Sequence, residues 1–230
     1  MLELTFRIEN KVPELYNPVT NETRPCRHWQ TKNGKTTLTY NFEPNESLFI
    51  LFNEGKMNSG TGKNWRETVS ELNLSGEWKV QFDPSYGGPT DPVIFPELTD
   101  WSKNENGSIR FYSGTATYFK SFQWNKNMKP DEAYWLELGT FANMAGVKLN
   151  GQLCGICWTS PFRVRIDQAL KQGSNMLEIA VTNTWANRLI GDNNLPESKR
   201  ISWTTAPYRL EGKSLLPAGL FGPVAISRSK

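Results

Sequence analysis

Histidine is almost missing from this chain: His28 is the single one among 230 residues, and cysteine adds only Cys26, Cys154 and Cys157. One imidazole removes the usual material for a four-ligand zinc site and for a Ser-His-Asp triad. Three cysteines, an odd and small number, do not make a disulfide framework. Cys154 and Cys157 have the spacing of a redox pair, but such a pair relies on a helix N-terminus to lower its thiol pKa. Here the two fall in a predicted hairpin strand, where positions three apart point to opposite faces, so the expectation is packing. No metal and no cofactor are expected. Long apolar runs are lacking too, so no membrane span of about 20 residues is foreseen. The opening residues, MLELTFRIENK, have no basic start followed by an apolar segment, so export is not encoded there. Charge of one sign is never concentrated. With 26 basic and 23 acidic residues spread evenly, the charges read as a wet sheet face, and no nucleic-acid partner is expected.

What is abundant is alternation and aromatic side chains, with nine Trp, seven Tyr and twelve Phe. Ala145, Val147 and Leu149 alternate with Gly146 and Lys148, and Asn150-Gly151 then turns the chain. Asn-Gly suits a two-residue hairpin turn because both central residues take positive φ. Phe162, Val164 and Ile166 alternate with Arg163 and Arg165, and Leu177, Ile179 and Val181 with Glu178 and Ala180, as strands with one wet face. Between them, Asp167 to Gly173 is long enough for a single helical turn. Earlier, Leu2, Leu4, Phe6 and Ile8 form a strand pattern, as do Leu38, Tyr40 and Phe42 after Asn33-Gly34. The turn-rich stretch Pro13–Pro25 is expected to cross between strands, and Ser47–Phe52 to be a short apolar strand. Residues 1–56 therefore read as a small β segment, the tail of a preceding β domain. Residues 57–69, rich in Gly, Asn, Ser and Lys, read as a linker. Residues 70–230 supply about eight strands, with SIRFY (108–112), GTATYFKSFQW (114–124), AYWLELG (133–139), ISW (201–203), APYRL (206–210) and GPVAISR (222–228) among them. No helix longer than a turn is expected. That pattern is an all-β chain, a jelly-roll sandwich.

Several strings then carry a resemblance. The order of Leu149-Asn150-Gly151, the following glycine and Trp158, a strand with a helical turn, and GSNMLEIAVTNTW (173–185) resembles the sugar-binding β-sandwich of family 2-type glycoside hydrolases. NTWANRLIGD, from Asn183 to Asp192, is similar to the C-terminal region of the rhamnosidase-type enzymes of glycoside hydrolase family 106. LSGEWKVQFDPSYGGP (74–89), LTDWS (98–102), SGTATYFKSF (113–122) and AGLFGPVAI (218–226) agree with it. The resemblance covers Leu74 to Ile226. It implies a galactose-binding-domain-like fold and a glycan partner, rhamnose-containing plant polysaccharide among them. It also implies a catalytic barrel elsewhere in a longer parent, which would be periplasmic or secreted. The family's catalytic acids lie on that barrel, and no position here matches them.

Glycoside hydrolysis needs two carboxylates about 5 to 9.5 Å apart, and none of the 23 acids stands out by context. Asp83, Asp91 and Asp100 sit in turn-rich loops where capping is expected. Sugar recognition is better supplied. Aromatic rings take sugar C–H faces, and the fixed fork of arginine donates to neighbouring hydroxyls. Trp158, Trp185, Asn187, Arg188 and Asp192 bring these groups to strand ends and loops, and they are the candidate carbohydrate-binding residues. The alternative is that Trp185 plugs the sandwich end and Arg188–Asp192 is an internal ion pair bracing a loop. Three functions follow from the residues: a non-catalytic accessory module, a free-standing carbohydrate-binding module, or a purely structural sandwich.

Overall fold

A computed structural model describes residues 1–55, 60–206 and 209–229 of the chain. The chain divides into two compact units, Met1–Thr68 with Thr159–Pro161, and Val69–Trp158 with Phe162–Lys230. In the first unit the strands are β1 (Leu2–Phe6), β2 (Val12–Asn17), β3 (Glu22–Pro25), β4 (Trp29–Lys32), β5 (Lys35–Tyr40) and β6 (Phe49–Asn53). They form two three-stranded antiparallel sheets, ordered β1-β5-β4 and β3-β2-β6. Leu15, Cys26, Trp29, Leu38 and Tyr40 are buried in one cluster, with Phe6, Ile50 and Trp65 packed against it. The turn-rich stretch expected to cross between strands is instead the hairpin of β2 and β3. Its turn is closed by Asn17, whose Oδ1 accepts from the backbone N–H of Val19 at 2.9 Å and Thr20 at 3.2 Å. A short polar side chain that bonds two residues onward closes a tight turn by itself.

Of the stretch read as a linker, residues 57–59 lie outside those described, as does Lys56 of the segment before it. Asn64, within that stretch, is buried. Its Oδ1 accepts from the N–H groups of Arg27 (2.8 Å) and His28 (3.0 Å), and its Nδ2 donates to the carbonyls of His28 (2.6 Å) and Thr39 (3.0 Å). All the hydrogen-bonding capacity of a buried amide is thereby met.

The second unit contains β7 (Thr68–Asn73), β8 (Trp78–Gln81), β9 (Val93–Phe95), β10 (Thr115–Trp124), β11 (Ala133–Glu137), β12 (Thr140–Ala142), β13 (Met144–Leu149), β14 (Gln152–Cys157), β15 (Arg163–Arg165), β16 (Gly173–Thr182), β17 (Gly219–Gly222) and β18 (Ala225–Ser229). Two short helices, α1 (Gly107–Arg110) and α2 (Ala186–Asn193), interrupt them. Six strands pair in the order β14-β13-β16-β10-β8-β9, four in the order β15-β11-β18-β7, and β12 pairs with β17. Alternate residues of β10, β13 and β16 face Tyr134, Leu136, Leu138 and Ile226 across one apolar core that also holds Trp78, Phe82, Trp101 and Tyr118. Each such side chain taken wholly from water contributes ~1.5–3 kcal/mol. The chain is thus the nearly all-β sandwich that the alternation implied. Among the described residues no helix is long and apolar enough to cross a membrane.

Four local expectations are corrected. Residues 108–112 are not a strand but mostly the turn α1, because Asn106 Oδ1 accepts from the Ser108 N–H at 3.0 Å and caps it. Cys154 and Cys157 do not face opposite ways. A bulge between Val147 and Lys148 in the β13–β14 pairing breaks the two-residue period, and both sulfurs pack against the core. Burial pushes the Cys157 thiol up to about 12. Finally, α2 is a helix of eight residues where nothing longer than a turn was expected. Ile201–Trp203 is not a strand, and the APYRL segment includes Pro207 and Tyr208, which lie outside the described residues.

One ionic cluster ties β7 to β18. Glu71 accepts from Lys126 Nζ at 2.6 Å and pairs with Arg228, whose Nη1 also reaches buried Glu132 at 2.6 Å. The hydrogen bond from Lys126, then that from Arg228, holds the Glu71 carboxyl below its ordinary value of 4.5. A carboxyl whose folded value is depressed stabilises the fold fully above its unfolded value, and that contribution disappears as pH falls through the folded value. A melting curve followed from neutral pH down to about 3 should therefore drop below roughly pH 4.5. The drop should be shallower in Glu71→Gln. Equal slopes in the two proteins would remove Glu71 from the acid response.

Candidate functional site

The residues picked out by sequence gather at one end of the six-stranded sheet, and they divide into buried braces and exposed rings. Just before this end, Asn183 clips β16 to the start of β10, accepting from the Gly114 N–H and donating to the Tyr112 carbonyl, both at 2.9 Å. The chain then enters α2 through Trp185, and Asn187, Arg188 and Asp192 all turn inward and are buried. Asn187 forms a two-point clamp on Leu216, donating to its carbonyl at 2.7 Å and accepting from its N–H at 2.8 Å. The Arg188 N–H donates to buried Ser113 Oγ at 3.0 Å, and Nη2 donates to the carbonyls of Tyr86 and Gly87 at 3.3 Å. Asp192, one turn along, faces Arg188 Nη1 through Oδ1 at 3.6 Å. Its Oδ2 accepts from the Ile201 N–H (3.0 Å), the Ser202 N–H (2.8 Å) and Ser202 Oγ (2.7 Å).

These three side chains therefore hold the loops at 84–88, 200–203 and 214–218 against one short helix. Most polar groups of these side chains are engaged by the protein itself, while Arg188 Nε and Asp192 Oδ1 are buried without a hydrogen-bond partner. The exposed groups are the rings. Trp185 is 46% exposed and Tyr86 41% exposed, and they meet edge to face with centroids 5.5 Å apart. Tyr86 ends the turn Pro84–Tyr86, which Asp83 caps by accepting from the Ser85 N–H at 2.9 Å and Ser85 Oγ at 2.7 Å. Those bonds hold the Asp83 carboxyl below its ordinary value. Gly87 closes the turn with φ +74°, and a Cβ there would lie 2.7 Å from Arg188 Nη2, so glycine is what lets the guanidinium reach the turn. Trp158, which follows β14, is 62% exposed.

Two aromatic residues of this end were not singled out by sequence, Tyr86 and Trp203. Each sits in a polar, turn-rich segment. A lone large ring in such a segment, with no alternating partner to bury it, is the signal that could have found them. Trp203 is 81% exposed and stands directly after the Ile201–Ser202 backbone that Asp192 anchors. Beside it opens a cavity of about 420 Å³ lined by Leu189, Asp192, Asn193, Glu197, Arg200, Ser202, Trp203, Thr204 and Leu210. Among the described residues no group of three His, Cys, Asp or Glu side chains is arranged to hold a metal ion.

Comparison with known proteins gives this sandwich its class. Residues 98–211 match the family model described as Glycosyl hydrolase 2 galactose-binding domain-like. The fold of the second unit is accordingly a galactose-binding-like β-sandwich, similar over these residues to one associated with glycoside hydrolases. Two particular relatives are more extensive matches. The structure of a rhamnosidase from Novosphingobium sp. PP1Y superposes with a TM-score of 0.90 at 31% identity, over 98% of this chain and 21% of that one. A putative β-glucuronidase of Formosa agariphila is 38% identical over 178 residues, covering 67% of this chain and 15% of that protein. The chain thus spans between a seventh and about a fifth of the length of these two relatives.

Proposed function

We propose that this chain is the non-catalytic accessory β-sandwich region of a rhamnosidase-like glycoside hydrolase of the family 106 type. It packs against a catalytic barrel carried elsewhere in the parent protein, and residues 1–56 adjoin a further β domain of that parent. The observation that carries this reading is the match of 98% of the chain to about a fifth of a rhamnosidase at a TM-score of 0.90. The carboxylates support it. Glu67, Glu71 and Asp83 are each held below the ordinary carboxyl value, opposite to what a general acid requires. The outer face of the six-stranded sheet supports it as well. The register puts Leu153 beside Lys148 and Ile156 beside Gly146 on that face, and Leu153, Ile156, Met144 and Met176 are exposed there. Apolar side chains gathered on one sheet face mark a surface that another body covers.

The test uses the chain alone and the parent enzyme. The chain alone should leave an aryl rhamnoside uncleaved. In the parent, Leu153→Asp with Ile156→Asp should lower both melting temperature and activity, while the same pair in the isolated chain leaves its melting temperature within about 1 °C, as exposed sites do. Cleavage by the isolated chain, abolished by replacing one acidic residue, would overturn the proposal. The exposed pair Tyr86 and Trp185 favours a second reading, carbohydrate binding by this end of the sandwich.

A further inference from the structure

We infer that the cavity beside α2, walled on its other side by Glu197, Arg200, Ser202, Trp203, Thr204 and Leu210, is a binding pocket for a neutral pyranoside, with Trp203 as its stacking platform. The inference is independent of the accessory role, since a sandwich can dock on a barrel without holding a sugar. Its size is the first argument. A volume of about 420 Å³ lies within the range of ligand pockets, roughly 300–1,000 Å³.

The second argument is the state of Trp203. An indole 81% exposed gives up the stabilisation that burial of a large ring would bring, and among the described residues it has no aromatic neighbour. Yet its backbone is fixed, because the two residues before it are bonded to a carboxylate that is itself 2% exposed. A water-facing indole on an anchored stretch of backbone is what a sugar C–H face stacks on, with less backbone ordering entropy left to lose on binding.

Polar chemistry around the ring is the third argument. Arg200 Nε is committed to the Leu195 carbonyl at 2.8 Å, which orients the guanidinium and leaves its Nη donors for a ligand. Asn193, Glu197 and Thr204 add donors and acceptors on other sides of the cavity, and Leu189 and Leu210 supply apolar wall. Charge selects the class. The lining holds one charge of each sign in Glu197 and Arg200, and Asp192 is already opposed by Arg188. The lining has no surplus cation to compensate a carboxylate or a sulfate, so an uncharged ring is favoured.

The experiment is a calorimetric and tryptophan-fluorescence titration of the whole chain with methyl α-L-rhamnopyranoside, methyl β-D-glucopyranoside and D-glucuronate. At least one neutral glycoside should bind saturably at millimolar concentration, and D-glucuronate at least tenfold more weakly. Trp203→Ala should weaken that binding at least tenfold with an unchanged melting temperature, since the ring it removes is 81% exposed. Arg200→Ala should weaken it less, and Trp158→Ala not at all. No saturable binding by either neutral glycoside would overturn the inference. So would binding that survives Trp203→Ala, or glucuronate binding more tightly than both. None of these results bears on whether the isolated chain hydrolyses a glycoside, so the two proposals fail separately.

Discussion

Replacing Asp192 with alanine is expected to lower the melting temperature of the sandwich by on the order of 10 °C. Removing one partner of a buried ion pair costs about 3–5 kcal/mol because the other charge is left uncompensated, and each kcal/mol moves a domain of this size by about 2–4 °C. Asp192 is 2% exposed and serves four groups at once: the Arg188 guanidinium, the N–H groups of Ile201 and Ser202, and Ser202 Oγ. Alanine leaves the three donors without their acceptor and the Arg188 charge without its opposing carboxylate. Arg188→Ala should be milder, since Asp192 keeps its three hydrogen-bond donors and the carbonyls of Tyr86 and Gly87 lose only bonds of 3.3 Å. Asp192→Asn should fall between the two, because an amide oxygen accepts as the carboxylate did but brings its NH₂ toward a cation. Differential scanning fluorimetry of the three variants gives the order. A loss below about 2 °C in Asp192→Ala would mean that the 200–203 loop is held by something else.

The same residues mark where sequence reasoning reached its limit. Strands were legible wherever one face is wet, because alternation then reports burial directly: Leu177, Ile179 and Val181 point inward from β16 as their spacing required. The turns at Asn33-Gly34 and Asn150-Gly151 were legible for a similar reason, and all four residues take positive φ. Trp135 was harder. It shares the outer side of β11 with Glu137 yet is buried, under Arg163 whose guanidinium lies 5.5 Å from its ring centroid and beside Ser229, whose Oγ accepts from Nε1 at 3.0 Å. Both partners come from other strands, so a period of two within β11 could not disclose the cover.

Helix α2 failed to announce itself because its defining contacts are also non-local. It has no side-chain N-cap, the first thing a sequence reading looks for. What stabilises it is the clamp of Asn187 on Leu216, 29 residues away, and the bond of Arg188 to Ser113, 75 residues away. Composition alone made Asn187, Arg188 and Asp192 equally suited to sugar hydroxyls and to loop carbonyls. Only the spatial neighbours decide which of these they meet. Tyr86 and Trp203 are hard to read for the converse reason, since a ring inside a polar loop looks incidental unless the loop is known to be pinned.

The largest single-site effect expected in the chain is at Gly139, where alanine should leave the sandwich unfolded or melting more than about 10 °C lower. Gly139 has φ +62°, and a Cβ on it would lie 2.3 Å from the carbonyl carbon and oxygen of Gly222 and 2.6 Å from the nitrogen of Pro223. All three are backbone atoms, so no rotamer change relieves the overlap. Gly139 and Gly222 are bridged, and Gly222 also pairs with Thr140 where β12 meets β17. Retreat of either chain would separate those strands and pull on β11, whose Leu136 is buried opposite Ile226 of β18. Positive φ by itself is a smaller matter, on the order of 1–2 kcal/mol for a residue with a Cβ. Gly151 isolates that share, having φ +81° and nothing within 4 Å of its Cβ position. Gly151→Ala should therefore melt only about 2–8 °C lower, and the gap between the two variants measures the clash. Near-ultraviolet circular dichroism with a thermal melt reports both. A Gly139→Ala protein with wild-type ellipticity and a melt matching that of Gly151→Ala would show that the Gly139–Gly222 approach is not needed to close the sandwich.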